Sequence, residues 1–170
     1  IERVYGTEKH VVDRDKGVIY GVKILGLESL NGRRYTLEAI QKAQRLYEGR
    51  AINVDHPAKA DDTRSAHDRF AWLENIKVAD DGLYGDLHLL DPGDPLSRKL
   101  LKAAEERPDI YGLSHNAQGD GHRADDGTFI IEEIVEVRSV DLVAEPATTN
   151  GLFEDRQPRK LMKLKAFLEA

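Results

Sequence analysis

The run Ile110–Gly119, IYGLSHNAQG, most constrains what this chain can fold into. Small and apolar residues fill it, Pro108-Asp109 precede it and Gly119-Asp120-Gly121 follow, so it reads as a short strand between breakers. Strand side chains alternate between faces. Gly112, Ser114 and Asn116 therefore share one face, and Leu113, His115 and Ala117 the other. A glycine beside Ser114 leaves little bulk over its hydroxyl, although a strand serine is ordinarily just bonded to a neighbour. A second run, Thr128–Ala144, ends before Pro146 and sets Val135, Val137, Ser139, Asp141 and Val143 on one face, with Glu136 and Arg138 opposite. Asp141 is then an acid on a face that begins apolar, which calls for a partner.

The remaining elements alternate in character. Lys16–Leu27 is rich in β-branched residues and favours a strand. Asn31-Gly32 signals a turn, and Thr36 then caps a helix running to about Tyr47, with no Glu three residues on to complete a capping box. Gly49 ends that helix. Ala51–Val54 is a short apolar strand leading into Asp55-His56-Pro57, where the proline favours an extended His56. Lys59–Asp68 is polar and reads as an exposed loop. Arg69–Ala79 and Leu83–Leu90, joined by Asp80-Asp81-Gly82, read as a hairpin. A helix starts near Pro95 and stops before Pro108.

Composition removes several chemistries. The chain has no cysteine, which excludes disulfides, thiolate metal sites and a cysteine nucleophile. No apolar run is long enough to span a bilayer, no secretory pattern is present, and a net charge of −6 argues against a nucleic-acid binder. At 170 residues and 40% apolar, the chain can bury one core. The charge is uneven: residues 156–170 hold five basic residues and one acidic, leaving 20 basic against 30 acidic, a net −10, in residues 1–155. The division expected is a body, 1–155, and a basic tail, 156–170.

Histidine, serine and acid occur in the order His56, Ser114, Asp141, each at or near a strand end. A hydroxyl becomes a nucleophile when an imidazole takes its proton, and the imidazole needs an orienting acceptor. The serine lacks the flanking second glycine of a nucleophile elbow, so this is not an α/β-hydrolase site. His115 lies on the wrong face of its strand to act as base for Ser114. A metal-dependent hydrolase using Asp55, His56, His67 and Asp68 is a rival reading, but that spacing matches no helix-based zinc motif. A non-catalytic structural module is another, since a fold does not fix a function.

The motifs VDHP at 54–57, YGLSHNAQG at 111–119 and VRSVDLVAEPATTNGLFE at 137–154 resemble those of the tailed-phage prohead proteases, a family similar in fold to the herpesvirus assemblins. The resemblance implies an α+β fold: a small closed or nearly closed, mostly antiparallel β-barrel surrounded by helices. It implies that residues 1–155 are a protease domain, with His56 as base and Ser114 as nucleophile. Assemblins carry a second histidine where many phage relatives carry an acid. Asp141 is the expected third member here, with Ser139 and Glu136 as alternatives and Glu136 disfavoured by its face. The loop Ala147, Thr148, Thr149, Asn150 would supply oxyanion-binding backbone. The implied substrates are scaffold and major capsid proteins inside the phage prohead, in the host cytoplasm. Self-association, no cofactor and no metal complete the expectation. Several such proteases favour glutamate before the scissile bond with an aliphatic residue two positions earlier. Leu152-Phe153-Glu154 fits that rule, and Phe167-Leu168-Glu169 fits it less well, so Glu154 and Glu169 are candidate self-cleavage positions.

Overall fold

The computed structural model describes residues 11–153; Glu154, Glu169 and the basic tail lie outside the described residues. The strands are β1 (Val12–Asp13), β2 (Val18–Gly26), β3 (Arg33–Tyr35), β4 (Ala51–Val54), β5 (Arg69–Ala79), β6 (Gly82–Leu89), β7 (Gly112–Arg123) and β8 (Phe129–Val143). Two helices, α1 (Leu37–Tyr47) and α2 (Pro95–Glu106), join them. The Thr36 hydroxyl accepts from the Ala39 N–H at 3.0 Å and starts α1. Asp94 does the same for α2 toward Leu96 and Ser97, with Pro95 in the first turn, where its missing N–H costs nothing.

One sheet runs β1-β2-β6-β5-β4-β8-β3, with β7 also paired to β8. Strand β8 is its spine. Along one edge it takes β7, antiparallel over its whole length. Along the other it takes β3 against Phe129–Ile131 and β4 against Val140–Leu142, both parallel. The remaining pairings are antiparallel. Ile19, Ile24, Leu73, Leu87, Leu113 and Val140 turn inward, and α1 covers them with Ile40 and Tyr47, all fully buried. Truncating one such side chain costs about 2–5 kcal/mol, a large part of a typical domain's stability.

This is an α+β fold, mostly antiparallel; the sheet does not close into a barrel, and two α-helices and a short 3-10 turn, Ala66–Asp68, accompany it among the described residues. Residues 146–153 occupy the gap between β2 and β7. The Lys23 N–H donates to the Leu152 carbonyl (2.8 Å), the Gly26 N–H to the Thr148 hydroxyl (3.1 Å), and the Leu152 N–H to the Pro108 carbonyl (2.8 Å). These bonds take up backbone groups of β2 that a closing strand would need. Gly26 is a requirement of this seam, because a Cβ there would run into the Thr148 carbonyl oxygen.

Three expectations are corrected locally. Arg33–Tyr35 forms a strand where only a turn and a cap were read. Strand β7 continues past Gly119 to Arg123 because β8 is long enough to pair it throughout. The register slips between Asn116 and Ala117, Gln118 and Gly119, and Asp120 and Gly121. Each slip shifts the alternation, so Ile134 and Val137 are buried while Val135 is 49% exposed.

Candidate active site

Strand β8 places Asp141 between two neighbours: Ser114 sits directly opposite on β7 and Asn53 opposite on β4. Opposed residues on one face have Cβ atoms about 5 Å apart, so pairing alone brings the serine and the acid together. His56 lies just past the end of β4. Asp55 adopts a left-handed conformation (φ 59°) while its N–H donates to the Leu142 carbonyl at 2.9 Å. This conformation is uncommon outside glycine and turns the chain at the strand end, before the extended geometry read from Pro57 applies.

The outcome is a continuous hydrogen-bonded line. His56 Nδ1 lies 2.6 Å from Asp141 Oδ2, and His56 Nε2 lies 3.1 Å from Ser114 Oγ. A carboxylate only accepts, so Nδ1 carries the proton and Nε2 is left to accept from the serine hydroxyl. The acid is wholly buried and Ser114 nearly so, whereas the His56 side chain is 44% exposed. Chemically, the arrangement can remove a proton from Ser114 and hold the resulting imidazolium against a fixed carboxylate.

Ser139 joins the group, donating its hydroxyl to Asp141 Oδ2 at 3.1 Å. Glu136 does not: it lies exposed beside Arg138, with 3.6 Å between Oε2 and Nε. The loop 147–150 reaches the neighbourhood through Gly112, two residues before Ser114 on the same face, where Pro146 and the Thr149 hydroxyl close over the bare Cα. Asp55, His56, His67 and Asp68 do not gather, and among the described residues no cluster of three or more such side chains could hold a metal ion.

Arg64 is the residue that sequence reasoning missed. Its loop is not free-standing: Asn116 Nδ2 donates to the Ala60 carbonyl at 2.7 Å, and Arg64 reaches across to the acid. Arg64 Nη1 donates to Asp141 Oδ1 (2.8 Å) and to the Ser139 hydroxyl (3.2 Å), while Nη2 donates to the carbonyls of Val54 (3.1 Å) and Asp55 (2.6 Å). The signal was indirect, since a buried Asp141 demands more partners than one histidine.

Behind Ser114, on the inner face, His115 is held by two tyrosines: Tyr35 Oη at 2.8 Å from Nε2 and Tyr47 Oη at 2.7 Å from Nδ1. Burial first, then the charges of Arg33 and His56, push the His115 imidazole down to about 4. Burial raises the Tyr47 phenol as well. His115 is therefore a neutral core group. A cleft of about 780 Å³ opens along β7 beyond Asn116, lined in part by Arg33, Gln118, Arg123 and Arg138.

The fold is shared with a solved viral protease. That structure is the bacteriophage T4 capsid assembly protease, gp21, which matches with a TM-score of 0.57 at 19% identity over 74% of this chain and 80% of that one. No family model and no curated protein matches the chain.

Proposed function

We propose that this chain is a serine endopeptidase of the prohead-protease type, related to the assemblins. It cleaves scaffold and capsid-protein extensions during phage head maturation, inside the prohead in the host cytoplasm. The observation that carries this reading is the line Ser114–His56–Asp141, two hydrogen bonds ending on a buried carboxylate. The capsid-assembly role of the T4 protein, whose fold is similar, supports the substrate class.

In the mechanism, His56 Nε2 takes the Ser114 proton as Oγ bonds to the scissile carbonyl carbon. The oxyanion is received by backbone N–H groups of the loop Ala147, Thr148, Thr149 and Asn150, a role supported by the packing of Pro146 and Thr149 over Gly112, two residues before Ser114. The C–N bond breaks as Nε2 returns the proton to the leaving amine. Water then attacks the acyl-enzyme, giving its proton to His56, and Ser114 leaves with that proton. Asp141 holds the Nδ1–H tautomer throughout. No cofactor or metal enters these steps. The arginine-lined cleft along β7 suits an acidic substrate side chain, and the same preference makes Glu154 and Glu169 sites of self-cleavage in a self-associating enzyme.

Intact-mass spectrometry tests the reading. A serine-directed fluorophosphonate adds one adduct at Ser114, and unlabelled enzyme held at high concentration acquires a new C-terminus at Glu154, which removes the tail, or at Glu169, which removes only Ala170. The Ser114→Ala protein takes no adduct and stays whole. A folded wild-type chain that takes no adduct is the non-catalytic module instead.

A further inference from the structure

We infer that Arg64 is a positioning residue that sets the geometry of the Asp141–His56 pair; this rests on the serine-protease reading above. Arg64 comes from a loop, yet its side chain is only 14% exposed, and its guanidinium spans two pieces of backbone and two side chains. One end fixes Asp141 Oδ1, so that the other oxygen, Oδ2, faces His56 Nδ1. The other end binds the carbonyls of Val54 and Asp55. Asp55 is the left-handed residue immediately before His56, a conformation that persists where surrounding contacts hold it. Arg64 thus grips the acid and the backbone that aims the base in one planar fork. A lysine carries the same charge but as a compact point on a flexible stem, and cannot fill four acceptors with that geometry.

The charge of Arg64 alone would work against catalysis, because a cation beside Asp141 opposes formation of imidazolium at His56. Its benefit is therefore geometric. Misplacing a catalytic group by about 1 Å costs on the order of 10²-fold in rate. Arg64 does not line the cleft along β7, so the loss falls on kcat and leaves KM nearly unchanged.

The experiment compares wild type, Arg64→Met, Arg64→Lys and Ser114→Ala for peptide turnover, for the rate of fluorophosphonate labelling, and for the low-field proton NMR resonance of His56 Nδ1–H. Arg64→Met and Arg64→Lys should each lose about 10²-fold in kcat and in labelling rate, with KM within a few fold and the low-field resonance broadened or lost. Should Arg64→Met fail to fold by circular dichroism, Arg64→Lys, which keeps the buried charge, carries the test. Wild-type labelling and an unchanged resonance in the folded variants overturn the inference while the protease reading stands. Absence of labelling in wild type overturns both.

Discussion

Lowering the pH should destabilise this protein through His115. The ring is hydrogen-bonded to Tyr35 and Tyr47, and burial pushes its imidazole down from the ordinary 6.5 to about 4. Below pH 6.5 the unfolded chain takes up a proton that the folded chain refuses until about pH 4. Stability is therefore full above pH 6.5 and declines as the pH falls through that window. At about 1.36 kcal/mol per unit, the whole drop comes to somewhat more than 3 kcal/mol. His115 keeps some accessible surface, which makes that an upper figure, and by pH 4.5 about 2 kcal/mol should be gone. Set against a typical total of 5–15 kcal/mol, this is a large share from one residue. His115→Gln is the informative variant, because an amide can also donate to one tyrosine and accept from the other while having nothing to titrate. Urea unfolding at pH 7 and pH 4.5 should show wild type losing about 2 kcal/mol more than His115→Gln between the two. Other groups titrate in both proteins and cancel in the difference. Parallel losses, within about 0.5 kcal/mol, would refute the reasoning.

Two further outcomes follow from the site. Asp141→Asn should lower kcat by about 10⁴-fold through the wrong imidazole tautomer, whereas Glu136→Gln, exposed beside Arg138, should change it less than about 2-fold; steady-state kinetics on a peptide decide, and the reverse order would move the acid to Glu136. Gly112→Ala must push Pro146 and Thr149 away, so turnover should fall on the order of 10²-fold with a stability loss of about 1–3 kcal/mol, read by peptide kinetics and urea unfolding; wild-type turnover would detach the 147–150 loop from the chemistry.

Alternation was enough to read the centre of the site. Ser114 and Asn116 on one strand, and Asp141 and Ser139 on the next, fall on matching faces because a period of two holds over those few residues, and the structure pairs them one to one. The same rule failed at Val135, where register slips intervene; a bulge needs one extra residue and leaves no mark in a hydropathy pattern. Strand β3 was invisible because three residues, two of them arginines, carry no periodic signal, and the pairing with β8 is what makes them a strand. Arg64 was illegible for a related reason. Its partners stand 10 residues away at Val54 and 77 away at Asp141, and nothing near it in the chain distinguishes a docked loop from a solvated one. The resemblance suggested a closed or nearly closed barrel and left the degree of closure open, because closure depends on which backbone groups residues 146–153 claim first.

The seam between β2 and β7 also sets a clock on synthesis. A ribosome delivers the chain from its amino end at about 5–20 residues per second. The strand bearing Ser114 and the turn bearing His56 emerge well before Asp141, which lies 85 residues beyond His56, and before Thr148 and Leu152, which stitch β2 into place. A nascent chain that stops short of residue 141 has a serine and a histidine but no buried acid, and one that stops short of 152 has the three side chains without the stitch. On the proposed function, the catalytic line cannot assemble until Asp141, and the residues that stitch β2, have followed His56 and Ser114 out of the ribosome.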